Sequence, residues 1–397
     1  VSDGLTGTGL QEFSAAAARF VDEGALPGLV ALVACGEQAH VEARGRLALD
    51  GAPVQRDSVF RISSTSKPLT AAVVLALVDE GLLELDAPVD GWLPELADRR
   101  VLRRPDAPLD DAVPAERAVT VRDLLTFTSG FGVAMEMFDG PEPWPVVAAA
   151  DRLRLGLVGP PRPQSLPAPD DWVAALGTLP LMAQPGERWL YNTGSQVLGV
   201  LVARAAECTF GDALTSRVLE PLGMRDTGFW AREPGRLATA YRPTGGGLEV
   251  WDGPDGEWSR PPAFEDGAGG LLSTADDLLA FARMLLRDGQ PVLSAGAAEQ
   301  MTRGQLTPEQ ARSAGVFLDG RTWGLGGSLL TDGPMRGAFG WEGGLGTSWL
   351  VDRARGLTVI VLTQRLFEGP ADYAPHAALQ EAAYAALAPG HTRESER

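Results

Sequence analysis

The stretch Phe60-Arg61-Ile62-Ser63-Ser64-Thr65-Ser66-Lys67-Pro68 decides how the rest of the chain is read. It continues as Leu69-Thr70-Ala71-Ala72-Val73-Val74-Leu75-Ala76-Leu77-Val78-Asp79-Glu80-Gly81. Serine opens this run, proline falls in its first turn, the body is apolar and Gly81 closes it, which is the pattern of a buried helix. Residues three apart share a helical face, so Ser64 and Lys67 project side by side at the positive end. The chain carries 34 basic residues, of which 33 are arginine, and Lys67 is the only lysine. Arginine stays charged at any working pH, whereas a buried lysine can lose its proton. The plainer reading is a surface lysine, and composition alone does not separate the two. The helix dipole and the apolar body both disfavour an ammonium at this position. A neutral Lys67 can take the proton of the Ser64 hydroxyl, while the Ser64 N–H faces outward to hold a developing oxyanion. Ser63 meets Ser66 at that spacing and Ser66 adjoins Lys67, so Ser64 is the only serine with a lysine partner. A lone Ser-x-x-Lys arises often by chance.

The 397 residues suffice for one large domain or two intimate ones. A net charge of -18 argues against nucleic acid or an anionic membrane surface as partner. No apolar run approaches the roughly 18–20 residues of a membrane span. Val1-Ser2-Asp3-Gly4 has neither the basic start nor the apolar stretch of a signal peptide, so a cytoplasmic location is expected. Secretion stays open, because the chain does not begin with Met and an upstream segment can have been removed. Cys35 and Cys208 have no metal or redox spacing and read as packing residues.

A helix is expected over Leu10 to Glu23, followed by strands Gly28 to Cys35 and His40 to Leu47. Thr347 to Asp352 and Leu357 to Thr363 read as a second hairpin, with a helix from Ala371 to Leu387 behind it. Val121 to Leu125, Ser195 to Cys208 and Thr274 to Arg287 read as helices between the two ends. The fold class is therefore α/β (α+β): both chain ends build an antiparallel sheet flanked by helices, with a mostly helical domain inserted. Residues 1–100 and 275–397 are assigned to the sheet domain and 101–274 to the helical one. Three irregular segments, 103–117, 140–171 and 241–262, read as long loops. Such loops serve as lids or binding walls in some folds and as decoration in others. The polar tail His391 to Arg397 is expected to fray.

Ser64-Thr65-Ser66-Lys67, the later tyrosine block Pro185-Gly186-Glu187-Arg188-Trp189-Leu190-Tyr191-Asn192-Thr193-Gly194 and the glycine-rich Trp341-Glu342-Gly343 resemble the serine β-lactamase and penicillin-binding-protein superfamily. The likeness is nearest to class C β-lactamases and family VIII carboxylesterases. Thr120 to Gly130, Glu220 to Met224 and Gly269 to Leu278 are similar to further blocks in the same order, although Phe127 stands where the family usually has histidine. The resemblance implies the β-lactamase/transpeptidase-like fold, with Ser64 as nucleophile, Lys67 as base and Tyr191 as general base or proton shuttle. The nearby amine is expected to make the Tyr191 phenol more acidic. The family's Tyr-x-Asn is displaced here, which leaves Asn192 and Thr193 as substrate-binding candidates. Trp341-Glu342-Gly343 occupies the place of Lys-Thr-Gly, and the Gly344 N–H becomes the second oxyanion donor. An indole and a carboxylate in place of a lysine are expected to weaken binding of anionic β-lactams and to favour neutral acyl groups that stack on Trp341. A purely packing Trp341, with charge recognised by an arginine elsewhere, is the alternative.

Other hydrolase chemistries find little support. His40, His376 and His391 read as strand-end, helix-surface and tail positions, and Gly-x-Ser-x-Gly does not occur. So few histidines suggest no metal site, and no cofactor is expected. The expected function is a serine hydrolase working through an acyl-enzyme on a small ester or amide. A carboxylesterase on neutral esters with weak β-lactam turnover is the first reading. A class C-type β-lactamase, a D-amino-acid peptidase and an acyltransferase are alternatives on the same scaffold. A non-catalytic penicillin sensor or scaffold protein is the alternative of a different class. The oligomeric state is not legible.

Overall fold

The computed structural model of the chain describes residues 4–369, 372 and 374–391. The expected helix start at Ala371, together with Tyr373 and the tail beyond His391, lies outside these residues. Seven strands form the main sheet: β1 (Gly28–Cys35), β2 (Gln38–Gly45), β3 (Arg321–Trp323), β4 (Ser328–Leu330), β5 (Phe339–Gly343), β6 (Thr347–Asp352) and β7 (Leu357–Thr363). Their order is β2-β1-β7-β6-β5-β4-β3, and every neighbouring pair is antiparallel. The two chain ends meet at the β1–β7 seam, where Leu32 faces Ile360. The sheet of both termini expected from the sequence is thus present.

The helices that frame it are α1 (Gly7–Asp22), α2 (Ser66–Asp79), α3 (Val121–Thr126), α4 (Thr193–Ala205), α5 (Ala275–Leu286) and α6 (Ala374–Ala385). Strand β1 is buried along its whole length because helices cover both faces. Its alternate side chains divide between two cores, as the pleat requires. Leu29, Ala31 and Val33 pack with Phe13 of α1 and Leu379 of α6. Val30, Leu32 and Ala34 belong to the larger core that holds α2, α4 and α5. The body of α2 is apolar all round, so it runs through the interior rather than along the surface.

The three irregular segments contain short elements. Ala112–Pro114 pairs with Arg100–Leu102, Pro145–Arg152 is a helix, and Ala240–Thr244 forms a hairpin with Gly247–Asp252. That hairpin is fastened to the strand leading into Ser64. The buried Arg61 guanidinium donates through Nε to Asp252 Oδ2 at 2.8 Å and lies 5.3 Å from the Trp258 ring. Among the described residues no helix is long and apolar enough to cross a membrane.

Candidate active site

The helical run that carries Ser64 and Lys67 begins as one 3-10 turn, Ser63–Thr65, before α2 takes over at Ser66. A 3-10 turn has three residues per turn and eclipses positions three apart. It brings the Lys67 Nζ within 2.9 Å of the Ser64 Oγ. Ser63 takes up the sharp entry, with φ at 47°, in the left-handed region that few residues other than glycine adopt. The turn is tied to the sheet from below: Thr347 Oγ1 donates to the Ile62 carbonyl at 2.9 Å and lies 3.2 Å from Thr65 Oγ1. A side chain at Gly343 would collide with the Ile62 carbonyl, so a glycine there lets β5 lie directly against the turn.

Lys67 is fully buried, and its amine also donates to the Ala268 carbonyl at 2.7 Å. Burial is the main cause that lowers its pKa from 10.5 to about 7, opposed by the negative charge of Asp266. Ser64 is only half-buried, whereas its amine partner is fully buried.

Tyr191 meets this pair from the segment before α4. The Lys67 amine lies 4.6 Å from the centroid of its ring. The Trp341 indole Nε1 donates to the Tyr191 hydroxyl at 2.7 Å. The expectation of a more acidic phenol is corrected. Burial raises the Tyr191 pKa, and this outweighs the lowering by its hydrogen bonds to Ser64 and Trp341. The phenol stays protonated across the working range.

Trp341 is 6% exposed and belongs to an aromatic cluster with Phe127, Trp189 and Trp323. Its indole N–H is spent on Tyr191, the Trp323 ring meets it at 4.8 Å and the Arg321 guanidinium lies 5.8 Å from its ring. Phe317, which is half-buried, stacks on the Tyr191 ring at 4.9 Å. Glu342 is not a free anion beside the site. Arg321 of β3 grips it with two hydrogen bonds, of 2.8 and 2.7 Å. Its charge is therefore paired within the protein.

Asn192 stands before α4 at φ 81° and is half-buried. Thr193 is buried, and its Oγ1 has no hydrogen-bond partner. Gly344 is exposed at the β5–β6 turn, where its carbonyl accepts from Phe367 N at 2.9 Å. His376 is corrected from a helix-surface position to a buried one. Its Nδ1 lies 2.9 Å from Ser348 Oγ, beneath the sheet. His40 lies 3.0 Å from Glu42, and His391 is 3.1 Å from the Cys35 sulfur. Among the described residues, no group of three or more His, Cys, Asp or Glu side chains is arranged to hold a metal ion.

Sequence reading passed over Asp266, Ala268, Arg321, Thr347 and Phe317. Only Asp266 had an available signal, an acid directly ahead of the glycine-rich block at 269–270. The others reach the site through tertiary contacts.

Comparison with known proteins agrees with this architecture. The Beta-lactamase family profile matches residues 13–383. Protein Rv1367c of Mycobacterium tuberculosis is 40% identical over 370 residues, covering 86% of this chain and 87% of its own. Esterase EstB of Burkholderia gladioli is 34% identical over 371 residues, covering 87% of each chain. Among solved structures, EstCE1, a hydrolase with promiscuous acyltransferase activity, superimposes with a TM-score of 0.79 at 24% identity, over 95% of this chain and 99% of its own. With a half-buried serine, a buried amine and a tyrosine gathered at one helix start under this sheet, the chain belongs to the Beta-lactamase family.

Proposed function

We propose that the chain is a serine esterase that works through an acyl-enzyme on Ser64. The observation that carries this reading is the fully buried amine, drawn down to about 7 and lying 2.9 Å from the Ser64 oxygen. An amine of that basicity accepts a proton at neutral pH, which is the requirement for a general base. The 34% identity with an esterase supports the same direction.

In this mechanism Ser64 Oγ attacks the ester carbonyl and passes its proton to Lys67. The Ser64 and Gly344 N–H groups hold the oxyanion. Tyr191 enters the reaction neutral. Because Trp341 donates into its oxygen, its own proton is free to be given to the departing alkoxide, and the attacking water returns one during deacylation while Lys67 gives its proton back to Ser64. The carbonyl–alkoxy bond breaks as the alcohol leaves, and water attacks the acyl-enzyme by the reverse sequence. Asn192, Thr193 and the Phe317 side of the aromatic cluster line the acyl or alcohol side, with Glu342 holding β3 to β5 through Arg321. The substrate class is a neutral ester of a small molecule. We further read residues 1–100 and 275–397 as the sheet domain and 101–274 as the helical domain that closes the cleft.

An acyltransferase is the second reading, favoured by the likeness to EstCE1, a hydrolase with promiscuous acyltransferase activity. It differs only in which acceptor reaches the acyl-enzyme. A chromogenic short-chain ester and nitrocefin assayed side by side, with and without an added alcohol, separate esterase, lactamase and transferase. Ser64→Ala is expected to abolish ester turnover and fluorophosphonate labelling. Turnover that survives the substitution would overturn the reading. Lys67→Arg keeps the charge but cannot release a proton, and a loss of at least about 100-fold is expected.

A further inference from the structure

The five residues Asp266-Gly267-Ala268-Gly269-Gly270 form a tight loop wedged between α2 and α4. A side chain at Gly267 would come within 2.6 Å of the Ser195 carbonyl of α4. Three residues of α2 hold the loop: Ser66 Oγ accepts from Leu271 N at 3.3 Å, Lys67 donates to the Ala268 carbonyl, and Thr70 Oγ1 donates to the Gly267 carbonyl at 2.7 Å. Inside the loop, Asp266 Oδ1 accepts from the Ala268 N–H at 2.8 Å. One peptide unit away, the carbonyl of the same Ala268 accepts from Lys67. Asp266 is buried, at 5% exposed.

We propose that Asp266 is the positioning residue for Lys67: its buried carboxylate folds the 266–270 loop so that the Ala268 carbonyl grips the amine, and it supplies the negative charge that lets Lys67 take up a proton inside the core. A buried ammonium without a counter-charge is costly. Lys67 is faced by the Ser64 hydroxyl from its own helix start, by the Tyr191 ring from the segment before α4, and by the Ala268 carbonyl and Asp266 from the loop. Of these groups, Asp266 carries the opposing charge. Glu342, on β5, acts on Tyr191 and is paired with Arg321. The carboxylate in turn is held by donors. The Ala268 N–H is one, and the Gln196 amide of α4, whose Nε2 also reaches the Leu155 carbonyl at 3.5 Å, acts in the same sense by lowering the Asp266 pKa. Burial pushes the Asp266 pKa up and that of Lys67 down, while each charge favours the other.

The inference takes the role of Lys67 from the proposed esterase mechanism, but it can be tested without turnover, because the chain has one lysine. Protein grown with lysine labelled with carbon-13 at the ε position shows a single side-chain resonance, and its shift against pH reports the ionisation of Lys67. The variant Asp266→Asn keeps an acceptor for the Ala268 N–H and removes the charge. Its midpoint is expected to fall by about one unit or more, a tenfold loss of protonated amine at fixed pH. Asp266→Ser, which leaves room for water, is expected to move it in the same direction. An unmoved midpoint in either folded variant overturns the proposal, even where activity drops, since a merely structural role would lower kcat without shifting it. Failure of both variants to fold also counts against it, as the carboxylate would then serve the fold alone. Absence of Ser64 acylation in the unmodified protein would sink the esterase reading and leave this titration readable.

Discussion

The Trp341 indole and the Tyr191 hydroxyl form a donor–acceptor pair of 2.7 Å, with the indole as donor. This direction decides what Tyr191 can do. An oxygen that already accepts one proton-bearing partner has its own proton left to give. Trp341→Phe keeps the ring in the aromatic cluster and removes the donor. Losing one hydrogen bond of about 1 kcal/mol is expected to lower kcat by roughly fivefold, with the melting temperature little changed. If kcat were untouched and only KM rose, Trp341 would be a substrate wall instead.

The ester hydrolysis rate is expected to follow the neutral form of Lys67. That form is favoured as pH rises through about 7, so kcat/KM climbs below that point and levels above it. Because burial holds the Tyr191 phenol protonated, the plateau continues beyond the ordinary tyrosine range near pH 10. A pH profile on a neutral ester checks both limbs. A rate that stays flat from pH 5 to 8 would remove Lys67 from the role of base.

Arg321 neutralises Glu342 beside Trp341. Arg321→Met leaves a half-buried carboxylate unpaired there. Anionic esters should then lose about tenfold more in kcat/KM than neutral ones of the same size. Equal losses for the two substrate types would show that the pair holds the sheet edge and does not reach the cleft.

His376 is buried and neutral, its pKa lowered from 6.5 to about 3 by burial. The unfolded chain therefore binds a proton between those values that the folded chain refuses. Stability is fully present above about 6.5 and is lost as pH falls toward 3, with a slope of up to about 1.4 kcal/mol per pH unit. His376→Gln should flatten the fall in melting temperature across that window. An unchanged slope would assign the acid sensitivity to other groups.

Much of the frame was legible before any coordinates. Strand bounds at Gly28–Cys35, Thr347–Asp352 and Leu357–Thr363 follow from apolar or β-branched runs bounded by turns, as burial on both faces favours. Arg321–Trp323 and Ser328–Leu330 were not legible, because three-residue strands between glycines carry no period. The serine–lysine pair was legible because both residues sit on one helix start. The acidity of Tyr191 was not, since a ring face and a hydroxyl see different neighbours: the amine lies over the face, while burial acts on the oxygen. Arg321 and Glu342 are 21 positions apart and meet only because β4 pairs with both β3 and β5, so the long arginine reaches across one strand.

The seam between β1 and β7 has a consequence for how the chain is made. During synthesis β1 and β2 emerge long before residues 357–363, the strand that covers the inner edge of β1. Until then β1 shows a row of unsatisfied amides and carbonyls to any passing strand. A message cut short before residue 357 would release a nascent chain with that edge bare, prone to clump rather than to fold.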